Sequence, residues 1–551
     1  MPDTCIDSIT IRHFKAFRDF QINLEGRHLL AYGGNGSGKS SLYWALYTFL
    51  ESASKSTDEV QKYFDPRGSQ SLVNIHVAAP ENETAFIKLT LKGDGAGAYE
   101  ISYTSHQTGD EPVIVKAGLA SDFITYRFIF KFSDFRNSQA FNFWALFERE
   151  ILPFCRTTSG ADLNDEWRAI VSEQPHNKPL VGGAITKARN EYDQKLDEFH
   201  LKLSVVIGSI AKKAKEFYAE HFADDPVGIE FELGITSPAH YDRESKMLVP
   251  PKLQLEVKTA EKVISRPHVF LNEAKLTQLA ISIRFAAALV NLHESPIKLL
   301  VLDDLLVSLD LSNRMNIVEI LLSDTFDHYQ KIILTHDLGF FREFRRMIGS
   351  RHGEWCYKRL YGDAVKGIKQ SEEKREIEKA EGYIKNHDLE EAAACLRKAA
   401  EDTAIQYREL KEGKRIGSEK FVSLTKQLEK ARNVIKSRIP EHLFEQALRD
   451  VDPAMLAKLV SYTDDDIDAD AVLDEGFKEL LKEKRQSLKD FLSSDGWADF
   501  RDINILDRIL KMTERVLNPA SHWGEPALYE AEVQKALVLI NRLEKCVRPE
   551  F

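Results

Sequence analysis

Cysteine is scarce and scattered. Cys5, Cys155, Cys356, Cys395 and Cys546 are the only five in 551 residues, and no two form a Cys-x-x-Cys pair. They are poor material for a zinc site and suit a reduced, cytosolic chain. No apolar run approaches the ~20 residues of a membrane span, and the first residues lack the charged-then-apolar pattern of a signal peptide. The expected address is the cytosol, with no membrane partner and no membrane-fused transporter half. Positive charge is in deficit: 75 Lys and Arg against 86 Asp and Glu give a net charge of −11. A DNA-coating protein, basic all over, is therefore disfavoured, although a dimer could still concentrate positive potential on one face. Internal repeats and low-complexity tracts are absent as well, and the length allows two to four domains with at least one large core.

What is present is an ordered series of short motifs. Gly33-Gly34-Asn35-Gly36-Ser37-Gly38-Lys39-Ser40 fits the P-loop pattern. It lies between a strand expected at His28–Tyr32 and a helix expected from Ser40 to Leu50, whose Leu42, Leu46 and Phe49 share a face. Glycines at this spacing let successive backbone N–H groups turn inward around phosphates, and the helix N-terminus adds partial positive charge. Gly33, Asn35, Gly36, Ser37, Gly38, Lys39, Ser40 and Ser41 are the expected ATP contacts. Lys39 would reach the β- and γ-phosphates, and the Ser40 hydroxyl would ligate Mg²⁺. Leu299-Leu300-Val301-Leu302 then runs into Asp303-Asp304. Four apolar residues before an aspartate describe a buried parallel strand that delivers a carboxylate, Asp303, to the metal at its C-terminal edge. Leu334-Thr335-His336-Asp337 completes the series after a strand at Ile332–Leu334, and a neutral imidazole at His336 can donate to phosphate near pH 7.

Around these motifs, alternating residues predict strands within 6–24, at Phe86–Leu91 and Tyr99–Tyr103, and again at Ile229–Leu233 and Leu253–Val257. Helical periodicity predicts a short insertion over about 187–222 and a helix from Leu276 to Leu292. After about Tyr361 strand signals fade, and charged, Ala/Leu-rich helical patterns run from Glu372 to the end. The expected organisation is an α/β P-loop head over 1–361, with a mixed sheet and flanking helices, and a helical bundle over 372–551.

Ile9-Thr10-Ile11-Arg12-His13-Phe14-Lys15-Ala16-Phe17, the glycine loop and the block from 271 to 337 resemble the SMC/RecF/RecN branch of ABC-type ATPases. The 187–222 helix is too short for long coiled-coil arms and carries no Cys-x-x-Cys hook, so the resemblance is to an armless head. It implies a head-to-head dimer, or a higher even oligomer, closing around ATP. Asp304 then stands where the family has a glutamate that polarises the attacking water; the competing reading is a turn cap. His336 corresponds to the switch histidine, and Ser308-Leu309-Asp310 to the D-loop. Asn272, Glu273, Ala274 and Lys275 correspond to the signature that faces the opposite protomer's γ-phosphate, with Asn272 replacing serine and Ala274 replacing glycine. Gln139 is the candidate Gln-loop residue near Mg²⁺, or else part of a polar surface loop. Arg12 and Lys15 either reach the nucleotide or belong to a solvated turn.

Armless heads with an Asp-Asp strand and a helical C-terminal domain look most like PtuA, the ATPase family of Septu anti-phage systems and their retron-associated versions. That implies an HNH nuclease partner, PtuB-like, with or without a reverse transcriptase–msDNA or other nucleic acid. Two other functions stay open: a RecF-like repair head and an ATPase-gated ribonuclease toxin. The second, anticodon-nuclease or HEPN-like, would use Arg515 and His522, whose Arg-x6-His spacing resembles that of HEPN ribonucleases; the bland alternative is a helix stop at Asn518-Pro519. The run Asp464–Asp470 superficially resembles a calcium loop, but Ala469 occupies the position that needs glycine. A solvated helix start accounts for it better. No strand–helix alternation after 372 could build a Toprim nuclease.

Overall fold

Apolar residues at alternate positions build the first sheet. β1 (Thr4–Arg12) and β2 (Asp19–Asn23) precede β3 (His28–Gly33), and β4 (Phe86–Gly93) and β5 (Gly97–Ser102) follow it. Strands β2-β1-β4-β5 are antiparallel neighbours, and Ile9, Ile11, Phe20, Ile22, Ile87 and Leu89 turn into the core. The computed structural model describes residues 4–125, 142–155, 157, 162–175, 183–222, 229–259, 262–264, 267–290, 295–304, 311–372, 374–413, 422–437, 451, 453–493, 495–518 and 528–547.

Continuous apolar runs build the second sheet. β6 (Asp122–Thr125) is followed by a separate group: β7 (Ile229–Ser237), β8 (His240–Asp242), β9 (Met247–Val249), β10 (Lys252–Thr259) and β11 (Lys262–Ile264). That group pairs as β11-β10-β7 and β8-β9. β12 (Leu299–Asp303), β13 (Gln330–Thr335), β14 (Trp355–Asp363) and β15 (Gly367–Glu372) then complete a six-stranded sheet with the order β15-β14-β3-β13-β12-β6. Its strands are parallel except β15, which returns antiparallel to β14. Every residue of β12 and β13 is buried, as strands covered on both faces require. Helix Lys39–Glu51 covers it with Leu42, Leu46 and Phe49, all fully buried. The 39-residue helix Gly183–His221 packs Leu196, Phe199, Leu203 and Ile210 into the same core as helix Glu273–Val290.

The chain divides into two compact units, Met1–Glu373 and Lys374–Phe551. Strand β15 reads as polar (Lys369-Gln370-Ser371-Glu372) because it is an edge, so the strand-bearing unit extends past the point where composition changes. All described regular structure of the second unit is helical. Its main core joins helices Glu376–Lys385, Leu389–Glu412, Leu424–Lys436, Asp495–Met512 and Glu530–Val547. A separate small core gathers Met455, Leu459, Ile467 and Leu481. Among the described residues no helix is long and apolar enough to cross a membrane.

Candidate active site

Strands β3, β13 and β12 are adjacent and parallel, with Ala31 opposite Leu334 and Leu334 opposite Asp303. The loops leaving them therefore emerge side by side at one edge of the sheet. The first is the glycine loop. Gly36 and Gly38 have φ of 81° and 89°, in the left-handed region that favours glycine. A Cβ at Gly38 would also stand 2.9 Å from Ile368 Cγ1 and 3.3 Å from Phe17. Gly38 leads directly into the first turn of helix Lys39–Glu51, whose free N–H groups face the loop.

Lys39 is only 4% exposed, and its Nζ donates to the carbonyls of Gly33 (2.7 Å) and Gly34 (3.1 Å). Burial pushes its pKa down, while Asp304 and Asp303 pull it back up. Ser37 Oγ is buried and has no hydrogen-bond partner among the described residues. Asn35, Gly36 and Ser40 are exposed, and Ser41 Oγ accepts from Ala16 N at 3.4 Å, tying the helix to the turn after β1.

Asp303 ends β12 with 5% exposure. Asp304 adopts φ 51°, an unusual conformation for a non-glycine residue. Its N–H donates to Leu334 O (3.0 Å), and its Oδ1 accepts from His336 N (2.8 Å) and lies 3.0 Å from His336 Nδ1. Its other oxygen, Oδ2, lies 3.9 Å from Lys39 Nζ. One carboxylate thus stands between the P-loop lysine and the histidine, and it also ties down the turn after β13. Asp337 caps helix Leu338–Met347 through Phe340 N (3.0 Å) and pairs with Arg314.

The remaining candidates are distributed differently. Asn272 Oδ1 accepts from Lys275 N (2.9 Å) and so caps helix Glu273–Val290; Asn272 and Glu273 are exposed, Ala274 and Lys275 half-buried. Lys15 has φ 47° and sets its ammonium over the Trp44 ring at 5.6 Å, where burial lowers its pKa. Arg12 turns instead toward Asp19 (3.9 Å) and the Phe86 ring (5.3 Å), on the antiparallel sheet. Gln139, Ser308, Asp310 and His522 lie outside the described residues. Arg515 sits in the π-helical turn Thr513–Leu517 with its guanidinium on Glu532 (3.0 Å) and over the Tyr529 ring.

Sequence reasoning missed the pair that anchors helix Glu273–Val290. Arg284 (2% exposed) and Asp122 (1%) form a two-pronged ion pair between that helix and β6, with a third bond from Arg284 Nη2 to Phe123 O at 3.1 Å. A lone arginine inside Ile281-Ser282-Ile283-Arg284-Phe285-Ala286-Ala287-Ala288 was the available signal, because a charge on a buried helix needs a partner.

The residues fit a magnesium nucleotide. A glycine cradle that a Cβ would obstruct, a helix N-terminus, a buried ammonium and an unpartnered serine hydroxyl suit phosphate oxygens. A carboxylate and a hydroxyl, Asp303 and Ser40, are the hard oxygen donors that Mg²⁺ takes.

No curated protein matches this chain. Among solved structures, the chain is similar to the Pyrococcus furiosus Smc head domain with an extended coiled coil bound to the C-terminal domain of ScpA, at 14% identity, TM-score 0.37, covering 70% of this chain and 99% of that one. It is also similar to the recombination mediator protein RecF bound to ATP, at 13% identity, TM-score 0.40, covering 67% and 100%. The family described as the RecF/RecN/SMC N-terminal domain matches residues 5–357, well over half of the chain, and the chain belongs to that family of ATPases.

Proposed function

We propose that the chain is an ATP-operated switch that binds Mg·ATP in the head, closes on a second copy of itself, and controls a nuclease held by the helical unit. The observation that carries this reading is the convergence of the glycine loop, Asp303-Asp304 and His336 on one edge of three adjacent parallel strands. Gly33 through Ser41 would surround the phosphates, with Lys39 neutralising them. Ser40 and Asp303 would hold Mg²⁺, which supplies charge neutralisation to the transferring phosphoryl group. Asp304 would hold the attacking water, and His336, tied to Asp304, would sense whether a γ-phosphate is in place. The exposed Asn272 end of helix Glu273–Val290 would face the partner's P-loop.

Turnover should be slow. Asp304 is one methylene shorter than the family's glutamate, and its Oδ1 is already engaged by His336 N. Occupancy of the site, more than the rate of hydrolysis, would then set the state of the switch. The resemblance in size and layout to PtuA-type anti-phage ATPases is what makes the nuclease of this reading an HNH protein, with a reverse transcriptase–msDNA as a further retron-type component.

The test is direct. Lys39→Ala should abolish ATP binding and nuclease control together, and an HNH protein encoded beside this gene should copurify with the chain. Unchanged ATP affinity in Lys39→Ala removes the first half of the proposal, and no copurifying nuclease removes the second. Membership of the family also admits a RecF-type repair head; ATP-dependent duplex binding with a steep salt dependence, and no nuclease partner, would favour that instead.

A further inference from the structure

The acidic run of the helical unit is not simply solvated. Thr463 Oγ1 accepts from Asp466 N (3.1 Å) and starts the short helix Asp464–Ala469. From there Asp464 pairs with Arg485 (3.0 Å) and Lys489 (3.1 Å). Asp468 pairs with Lys482, and its backbone carbonyl accepts from Lys478 at 3.2 Å. Lys478, Lys482, Arg485 and Lys489 follow one another at intervals of four, three and four along helix Glu475–Ser493, which puts them in one stripe. At 1.5 Å per residue the stripe is about 16 Å long; Glu479, Glu483 and Asp490 lie roughly a quarter-turn or more away from it, and Glu475 stands at its N-terminal end, 3.4 Å from Lys478.

The cover is built to come off. Ile467 of the acidic helix and Leu481 of the basic helix meet in the small core with Met455 and Leu459, apart from the unit's main core. A helix of six residues has little stability of its own, and a core of four buried residues edged by the half-buried Val451, Tyr462, Leu473 and Phe477 is small enough to open without global unfolding. Where the cover meets the stripe, Asp464 and Asp468 are 51% and 59% exposed, so a competing polyanion can reach them, while Asp470 is held separately by Lys458 at 2.9 Å.

We propose that the stripe Lys478–Lys482–Arg485–Lys489 is a nucleic-acid backbone site, kept closed by residues 464–470, whose carboxylates stand where phosphates would bind. A straight row of cations suits a strand of phosphates. A membrane surface is a poorer match, because an interfacial helix presents an apolar face outward, whereas Phe477 and Leu481 here are committed to the small core. The site belongs to the helical unit and needs no nucleotide, so it is testable whether or not the ATP switch is correct.

The experiment measures anisotropy of a fluorescein-labelled 20-base-pair DNA duplex, and of one of its strands alone, with the full chain in the absence of ATP. Asp464→Asn/Asp468→Asn should bind at least tenfold more tightly than wild type. Adding Lys482→Gln/Lys489→Gln should return affinity to the wild-type level and flatten the log K against log salt slope by about 1.8 on duplex, two contacts at about 0.9 each. Hydrogen exchange on the wild-type chain with saturating duplex guards against a variant that misfolds: exchange should slow in 475–493 and quicken in 463–470. The proposal is overturned if the uncovered variant binds no more tightly, if the lysine changes leave the slope unaltered, or if exchange in both segments is unchanged. Preference for polyglutamate over both DNAs would overturn it in favour of an acidic protein partner.

Discussion

Asp122 and Arg284 offer the sharpest test of how the head is held together. Both are essentially excluded from water, and Arg284 donates two hydrogen bonds to the Asp122 carboxylate, reaches Phe123 O and lies 5.0 Å from the centre of the Phe154 ring. Asp122→Ala leaves a guanidinium with a single carbonyl acceptor, and Arg284→Met leaves a buried carboxylate. Either single change should cost about 3–5 kcal/mol, the usual penalty for breaking a buried pair from one side. Replacing both, Asp122→Leu/Arg284→Met, removes the uncompensated charge and should cost far less than the sum, within about 1 kcal/mol of wild type. With an m-value of about 3 kcal/mol/M, the singles should lower the urea midpoint of tryptophan fluorescence by about 1 to 1.7 M, and the double variant should nearly restore it. Singles that each cost under about 1 kcal/mol, or a double that costs their sum, would refute the reasoning.

Gly38→Ala should destabilise the head by about 2–4 kcal/mol, from the left-handed backbone and the overlap with Ile368, whereas Gly34→Ala, which meets no atom within 4 Å, should stay within about 0.5 kcal/mol of wild type in a thermal melt. Equal melting temperatures for the two would contradict the loop geometry. Lys331, 1% exposed on β13, has its pKa lowered to about 8, first by burial and then by Arg351, against the pull of Asp327. Its folded value lies below its unfolded one, so its contribution to stability rises with pH between about 8 and 10.5, by about 3 kcal/mol in all. Lys331→Met should be more stable than wild type at pH 7, with the difference shrinking toward pH 10.5; a constant difference counts against it. His28 has its pKa lowered to about 3, chiefly by burial, and its Nδ1 accepts from Lys331 N (3.1 Å), which requires the neutral ring. The stability it contributes is present above pH 6.5 and is lost as pH falls toward 3, so His28→Gln should flatten acid unfolding in that window, and an unchanged acid limb would rule the assignment out.

How much of this was legible in the chain depended on range. The glycine loop, the strand ending in Asp303 and the cap at Asn272 are local patterns, set by backbone freedom, apolar runs and one side-chain hydrogen bond. The antiparallel strands were legible for the same reason, since Ile9, Ile11, Phe20 and Ile22 alternate along short segments. Strand β6 is four residues long and β15 is a polar edge, so neither carries enough pattern to stand out. Asp122 meets Arg284 across 162 residues, and nothing near Asp122 announces its partner. The bridge from Lys39 through Asp304 to His336 needed three loops side by side, which follows from the strand order rather than from any one motif. Asp464–Asp470 read as a solvated helix start because its cations lie on the neighbouring helices, Arg485 and Lys489 after it and Lys458 before it.

The central claim is that ATP closes two heads. Light scattering on the Asp304→Asn variant of this chain, in which the carboxylate proposed to hold the attacking water is removed, should give a monomer's mass without nucleotide and about twice that mass with Mg·ATP. The same measurement on Asp304→Asn/Lys39→Ala should show no change on adding ATP. A mass that ignores ATP, or a doubling that survives the loss of Lys39, would contradict the account.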